Sequence, residues 1–253
     1  MPLVFAHRGS FGALPEHTLS AYELAIAEGV DGLECDVRLT SDGHPVCVHD
    51  ALIDRTSNGR GRVSAMTRAE LARFDFAPGT GRPAGVLTLE QLLTTALTAG
   101  RPLQLLVETK HPSRFGGAVE EAVVGLLARH GLATATGMAA RGVLVTVMSF
   151  SALALRRMRG LAPEVPTVFL FDLGPKAVWE GRTPFGADAL GPGIKALRSR
   201  PDLVRRAHER GHRVYVWTVN QPSDITFVLD LGADGIISDR PADVLRALDR
   251  RQP

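Results

Sequence analysis

The chain contains 253 residues, of which 45% are hydrophobic and 22% are charged, and it has only two cysteines. This composition is typical of a folded globular protein and excludes a disordered chain, a collagen-like repeat and a disulfide scaffold. Lys and Arg (29) nearly balance Asp and Glu (27), and the arginines are scattered, so we expect a solvated surface and no nucleic-acid partner.

The chain begins with an apolar, strand-like segment, Leu3 to Ala6, directly after Met1-Pro2. A secretory signal would instead show a basic region followed by a longer apolar run, so we expect a cytoplasmic protein. No apolar run approaches the roughly 20 residues that span a bilayer, and we expect no stable membrane insertion. Cys35 and Cys47 are then expected to be reduced core residues. The oligomeric state stays open at this level.

Short β-rich segments alternate with stretches whose apolar residues recur every three or four positions. One such stretch, Leu19 to Ile26, ends at Gly29, and another, Leu203 to Ala207, ends at Gly211. This alternation is typical of a parallel sheet covered by helices, and eight units in about 250 residues favour closure into a (β/α)8 TIM barrel. We therefore predict one barrel domain over residues 1–253. The predicted strands lie around 3–7, 30–37, 103–109, 143–149, 165–171, 187–191, 213–219 and 235–238.

One segment departs from this alternation. Val46 to His49 follows the second strand after only Thr40 to Pro45, and a parallel crossover needs a dozen residues or more. The two segments are therefore predicted to form an antiparallel β-hairpin that turns at Asp42-Gly43. Such a hairpin brings His49 opposite or near Asp36.

Carboxylates cluster where predicted strands end, which is the face of a barrel that carries active sites. Glu34 and Asp36 are two residues apart on one strand and share a face, and Glu108 ends the next. Three converging carboxylates repel one another unless a cation lies among them. An all-oxygen set suits Mg²⁺ or Ca²⁺ better than Zn²⁺, with Mn²⁺ as a further alternative. The simpler interpretation is an ion pair of these acids with Arg8 or Arg38.

Two histidines and two cations are expected at the same barrel end. His7 and His49 each end a strand, and imidazoles on opposite sides of a substrate can serve as general base and general acid. Arg8 and Lys110 with a divalent ion outweigh the three carboxylates by one positive charge, which favours a phosphodiester monoanion. Structural or surface roles are expected for His44, His130, His208 and His212.

These residues belong to a longer set of motifs that occur in order along nearly the whole chain. Together the motifs resemble those of the glycerophosphodiester phosphodiesterase family, in the pattern of its compact members. The matching segments are His7-Arg8-Gly9, Pro15-Glu16-His17-Thr18, Asp31 to Val37, Thr40 to Gly43, Val48-His49-Asp50, Arg55 to Gly59, Glu108-Thr109-Lys110, Ser149-Phe150, Trp217 to Asn220 and Asp234 to Pro241.

The resemblance implies a fold and an activity. The fold is a TIM barrel of the phospholipase C-like phosphodiesterase type, with a β-hairpin after its second strand. The reaction is hydrolysis of a glycerophosphodiester to sn-glycerol 3-phosphate and an alcohol, by water or through a cyclic phosphate. The implied site consists of Glu34, Asp36 and Glu108 as metal ligands, His7 and His49 as acid and base, Arg8 and Lys110 on the phosphate, and Trp217 against the alcohol.

One residue departs from the family pattern, which usually has Asn at the position of His17. Ser20 to Glu23, which begins three residues after His17, fits a capping box. We therefore expect His17 to alter the entry into the first helix or, as the alternative, the loop over the site.

Other functions are compatible with parts of the pattern. A lysophospholipase D-like or sphingomyelinase D-like enzyme would need a wide apolar mouth, and no long amphipathic insertion supplies one. A non-catalytic barrel that binds phosphate compounds would not need the complete set of acids and histidines. A zinc amidohydrolase should end its first strand in H-x-H, whereas His7 is followed by Arg8-Gly9.

Overall fold

The computed structural model describes residues 1–250, and the last three residues of the predicted domain, 251–253, lie outside the described residues. Eight parallel strands form a closed barrel, in which each strand pairs with the next and β9 and β2 both pair with β1. The predicted barrel is thus confirmed. The strands are β1 (Leu3–His7), β2 (Gly32–Leu39), β3 (Pro45–Cys47), β4 (Leu103–Thr109), β5 (Val143–Ser149), β6 (Thr167–Phe171), β7 (Ala189–Pro192), β8 (Arg213–Val216) and β9 (Gly235–Ser238), and β3 lies outside the barrel.

Helices connect the barrel strands and cover them from outside. None of the helices in residues 1–250 combines the length and apolar character needed to span a membrane. Short 3-10 helices cover Val63–Ala65 and Pro184–Gly186. The α-helices are α1 (Leu19–Ala27), α2 (Arg68–Leu71), α3 (Leu89–Leu97), α4 (Ala118–Arg129), α5 (Ala135–Arg141), α6 (Ala152–Leu161), α7 (Lys176–Trp179), α8 (Ile194–Ser199), α9 (Leu203–His208), α10 (Pro222–Leu231) and α11 (Pro241–Asp249).

The alternation of side chains along β2 separates two environments. Leu33, Cys35 and Val37 point outward and are buried in a core shared with the helices. Glu34 and Asp36 take the alternate positions, inside the barrel, because successive side chains of a strand face opposite ways. Both cysteines are free and buried, as expected.

The barrel interior below the site is filled by apolar side chains. The rings of Phe5 and Tyr215 pack edge to face, with centroids 5.7 Å apart, and Leu106 and Ile237 join the same cluster. This packed interior leaves the upper end, where the parallel strands terminate, as the place for polar groups.

The predicted hairpin is present between β2 and β3. Val37 pairs with Cys47, and the Val48 amide donates to the Asp36 carbonyl oxygen at 3.0 Å. His49 is therefore one residue beyond the position opposite Asp36, within the range predicted. Gly43 has φ of +79° in the turn, a conformation that glycine adopts without a steric penalty.

The first helix begins at the start of the predicted apolar stretch, before the predicted capping box. Helix α1 starts at Leu19, and the Thr18 side chain caps it by accepting from the Ala21 amide at 3.3 Å. The predicted capping box at Ser20 is therefore wrong, because Ser20 already lies inside the first turn. Thr18 satisfies the helix end instead.

Candidate active site

The parallel registers of β1, β2 and β4 bring the polar strand ends together. His7 pairs with Glu34 across β1 and β2, and Asp36 pairs with Glu108 across β2 and β4. Partners in register lie side by side and point to the same side of the sheet. The barrel thereby places two acids of one strand and one of the next inside its upper end.

The three acids converge as predicted. Glu34, Asp36 and Glu108 are buried, and one carboxylate oxygen of each lies within 4.8 Å of the others. Oxygen ligands bind Ca²⁺ at about 2.3–2.6 Å and Mg²⁺ at about 2.0–2.1 Å, so oxygens up to about 5 Å apart can share one ion. The donor set, all oxygen and without a thiolate or imidazole among the three, fits a hard divalent cation.

The protein groups around this cluster do not favour the ionised form of all three carboxyls. Burial, together with the charges of Asp36 and Glu108, raises the pKa of Glu34 well above its usual value. Burial and the charge of Asp36 also raise the pKa of Glu108, to about 8. Burial opposes ionisation of Asp36 too, but the His17 hydrogen bond and the charge of Lys110 outweigh it and hold the Asp36 pKa well below its usual value. A cation among these acids would keep all three ionised.

Arg8 and Lys110 form ion pairs with carboxylates of this cluster. The Lys110 ammonium lies 2.7 Å from Glu108 Oε1 and 3.1 Å from Asp36 Oδ1. Arg8 Nε lies 3.0 Å from Asp36 Oδ2, and the Arg8 amide donates to Glu34 Oε2 at 3.1 Å. The ion pairs expected under the simpler interpretation therefore exist for Asp36. Glu34 has no Lys or Arg side-chain nitrogen among these contacts, and it belongs to the group of three carboxylates that could hold a cation.

His7 is oriented by a carboxylate at the end of β9. Its Nδ1 lies 2.6 Å from Asp239 Oδ1, while its Nε2 lies 4.0 Å from Glu34 Oε2. Asn220 donates to Asp239 Oδ2 at 2.6 Å. Burial alone would raise the pKa of Asp239, but the His7 hydrogen bond and charge outweigh it and lower that pKa, so the ionised carboxylate accepts the Nδ1 proton. The Nε2 atom of His7 is then free of a proton when the imidazole is neutral.

His49 is also oriented by an aspartate. Its Nδ1 lies 2.6 Å from Asp50 Oδ1, and Arg55 holds the other Asp50 oxygen at 2.7 Å. The Arg55 hydrogen bond is the main cause that lowers the pKa of Asp50 to about 2. Two nitrogens of the Arg55 guanidinium also donate to the two carboxylate oxygens of the buried Glu16, at 2.7 and 2.9 Å. The Glu16 carboxylate in turn accepts a hydrogen bond from Arg8. A continuous polar chain thus joins the two sides of the site.

Acids, histidines and cations line one cavity of about 100 Å³ at the barrel end. Trp217 closes its apolar side, where the indole donates to the Gly191 carbonyl oxygen at 2.8 Å and packs edge to face with Phe150. The site residues predicted from sequence that this cavity brings together are His7, Arg8, Glu34, His49, Glu108, Lys110 and Trp217, while Asp36 contacts Arg8 and Lys110 from behind.

His17 contacts the carboxylate cluster. From the sequence it was expected to alter either the helix entry or the loop over the site, and neither expectation describes this contact. It is buried, with φ of +57°, and its Nε2 lies 2.9 Å from Asp36 Oδ2. Its Nδ1 lies 2.8 Å from the Tyr22 hydroxyl, which donates to the Glu34 carbonyl oxygen at 3.0 Å. The residue that departs from the family pattern therefore supports a carboxylate of the site rather than the start of α1.

Sequence reasoning gave no role to the residues that orient the histidines. Asp239 directly follows β9, so the rule that active-site groups follow barrel strands could have identified it. Asp50 directly follows His49, which is a weaker signal because neighbouring residues often point apart. Glu16 and Arg55 carry no local signal, since they meet across 39 residues of chain.

Comparisons with known proteins agree with this geometry. The model of the glycerophosphoryl diester phosphodiesterase family matches residues 7–243. A Mycobacterium tuberculosis protein named probable glycerophosphodiester phosphodiesterase 1 is 46% identical over 248 residues, which cover 95% of this chain and 90% of that protein. A glycerophosphodiester phosphodiesterase of Caldanaerobacter subterraneus subsp. tengcongensis is 30% identical over 242 residues, which cover 94% of both chains.

A solved structure shows the same fold over nearly the whole chain. It is a phosphodiesterase of Oleispira antarctica in complex with the product sn-glycerol-3-phosphate, with a TM-score of 0.85 and 26% identity. The superposition covers 98% of this chain and 97% of that one. From the family match and these relatives, the chain belongs to the glycerophosphoryl diester phosphodiesterase family of enzymes.

Proposed function

We propose that the protein is a metal-dependent phosphodiesterase that hydrolyses glycerophosphodiesters to sn-glycerol 3-phosphate and an alcohol. The observation that carries this proposal is the convergence of three buried carboxylates and two carboxylate-oriented imidazoles on one cavity. Family membership and the product named for the Oleispira antarctica structure support the same reaction.

Glu34, Asp36 and Glu108 would hold one divalent cation, Mg²⁺ or Ca²⁺, with Mn²⁺ as an alternative. Such an ion supplies charge neutralisation for the phosphoryl oxygens, the contribution that usually dominates this kind of catalysis. Arg8 and Lys110 add fixed positive charge at the same cavity, so the phosphodiester monoanion is attracted and oriented between them.

His7 and His49 divide the proton transfers. Each presents Nε2 to the cavity because its Nδ1 is held by an ionised aspartate. One Nε2 removes the proton of the nucleophile, which is water or the adjacent glycerol hydroxyl, and the other donates a proton to the leaving alcohol. The paired geometry supports both roles without assigning their order.

Trp217 would bind the alcohol part of the substrate. Its ring faces the cavity, with Phe150 packed against it at a centroid distance of 5.3 Å. The indole N–H is engaged by the Gly191 carbonyl oxygen, so the ring is held in place and offers an apolar surface.

A substrate and metal screen tests this function. The purified protein is stripped of metal with a chelator, and hydrolysis of the glycerophosphodiesters of choline, ethanolamine, glycerol and inositol is measured after adding Mg²⁺, Ca²⁺ or Mn²⁺. We expect glycerol 3-phosphate release that depends on the added ion. Hydrolysis that is unaffected by chelation, or absent with every ion, would contradict the proposal.

A second candidate is hydrolysis of glycerophosphodiesters that carry an acyl chain. Large apolar side chains are exposed in loops that follow barrel strands, namely Phe11 after β1, Phe150 after β5 and Leu173 after β6. These loops surround the cavity end of the barrel, where a hydrocarbon chain could contact them. A higher kcat/KM for lysophosphatidylcholine than for glycerophosphocholine would favour this candidate, and the reverse order would favour the water-soluble diesters.

A further inference from the structure

A second small cavity, the basic pocket, adjoins the active-site cavity. Its volume is about 80 Å³, and Lys110 lines both cavities. The polar side chains around the basic pocket are Arg38, Arg62, Ser64, Ser113 and Arg114, and none of the lining residues is acidic.

The three guanidinium groups of the basic pocket lack carboxylate partners. No Asp or Glu oxygen within residues 1–250 lies within 4.0 Å of the Arg38, Arg62 or Arg114 side-chain nitrogens. Arg38 donates instead to the His49 carbonyl oxygen, at 2.9 and 2.8 Å, and Arg114 donates to the Ser64 carbonyl oxygen at 3.1 Å. These bonds orient the Arg38 and Arg114 guanidiniums through carbonyl oxygens and not through carboxylates.

The nearby acids lie toward the active site rather than in the basic pocket. Asp36, Glu108 and Asp50 are the carboxylates that act electrostatically on Arg38. The Lys110 ammonium contacts Asp36 and Glu108, so the positive charge of the basic pocket comes from the arginines. Cations gathered in a concave site attract an anion, and guanidinium groups match the oxygens of a phosphate in pairs.

We propose that the basic pocket binds a second phosphate group of the substrate. This inference rests on the proposed function, since it names the diesters that the same active site prefers. Glycerol is the constant part of the substrate, so the second phosphate belongs to the alcohol part as a phosphomonoester. Preferred substrates are then glycerophosphodiesters of phosphorylated alcohols, and Arg62 and Arg114 determine that preference.

A matched pair of substrates tests the inference. The kcat/KM values for glycerophosphoinositol and glycerophosphoinositol 4-phosphate are compared in the wild type and in the double variant Arg62→Ala, Arg114→Ala. Both arginines are exposed and lie outside the catalytic set, so hydrolysis of glycerophosphoinositol should not change. Arg60→Ala and Arg82→Ala, at exposed arginines that do not line the basic pocket, serve as controls.

We expect the wild type and both controls to prefer the phosphorylated substrate by roughly tenfold, the size of about 1.4 kcal/mol from partly solvated charge pairs. The double variant should lose this preference. The preference should also shrink with salt, because the Debye length falls from about 30 Å at 0.01 M to about 3 Å at 1 M ionic strength.

The outcomes separate this inference from the proposed function. If both substrates are hydrolysed with the same ratio in the wild type and the double variant, the basic pocket does not bind the second phosphate. If neither is hydrolysed, calorimetric titration with inositol 4-phosphate tests the basic pocket by itself, and the proposed function fails only if the other glycerophosphodiesters of the screen are not hydrolysed either. The inference is supported if the wild type and the controls bind inositol 4-phosphate and the double variant does not. It is refuted if the wild type does not bind inositol 4-phosphate.

Discussion

The orientation of His7 by Asp239 is the feature whose removal has the most specific consequence. Asp239 Oδ1 lies 2.6 Å from His7 Nδ1, and Asp239 Oδ2 accepts from Asn220 at 2.6 Å. In the variant Asp239→Asn, the carboxamide oxygen keeps the bond from Asn220, so the amide nitrogen faces His7. An N–H donor at that place requires an unprotonated Nδ1 and moves the imidazole proton to Nε2, which faces the substrate.

A histidine with its proton on Nε2 cannot remove a proton there, and a neutral amide no longer stabilises the imidazolium. General acid–base catalysis contributes about 10²–10⁴ in rate, so we expect kcat to fall by that factor in Asp239→Asn. The assay is glycerol 3-phosphate release from glycerophosphocholine under saturating substrate and metal. Nitrogen-15 NMR of the histidine rings reads the tautomer directly.

Asp234→Asn is a matched control for this experiment. Asp234 directly precedes β9, at the opposite end of the same strand, and it contacts His208 at 2.8 Å. This variant should leave kcat unchanged. If folded Asp239→Asn keeps the wild-type kcat, or if Asp234→Asn loses as much activity, the orientation of His7 is not what Asp239 contributes.

Three further predictions follow from the same contacts. Asp36→Ala should raise the metal concentration for half-maximal activity at least tenfold, in line with the roughly 10–100-fold that outer-shell changes alone can cost, and direct metal titration checks it. Because the folded-state pKa of Glu108 is raised from 4.5 to about 8, its protonated form stabilises the metal-free fold below pH 4.5, and this stability is lost as pH rises toward 8. Thermal unfolding of Glu108→Gln without metal should lack that pH dependence, and an unchanged dependence would contradict the assigned pKa. His17→Ala removes one hydrogen bond from the buried Asp36 carboxylate and one from the buried Tyr22 hydroxyl, and it should lower the free energy of unfolding by about 1–3 kcal/mol, measured by urea denaturation.

The barrel and most of the site follow from patterns that are local in the sequence. Strand segments, helix spacing and the short link at Asp42-Gly43 define the order of elements, and side-chain alternation places Glu34 and Asp36 on one face. The rule that sites lie where parallel strands end then selects His7 and Glu108. These inferences need only spacing and residue type.

Contacts between distant segments were not accessible in this way. His17 was expected to alter the entry into α1 or the loop over the site, but its side chain is buried against Asp36. The link from Arg55 to Glu16 depends on how two loops approach each other, and loop conformation is set by packing rather than by local propensity.

The sequence by itself therefore determined the fold class, the acids that share a cavity and the two histidines beside them. The tertiary structure alone decided which partner orients each imidazole, how far each carboxylate pKa departs from its usual value, and that three arginines without acids form the basic pocket. The physical reason is that hydrogen-bond partners, burial and local electric field depend on distances between chain segments, whereas strand periodicity depends only on neighbouring residues.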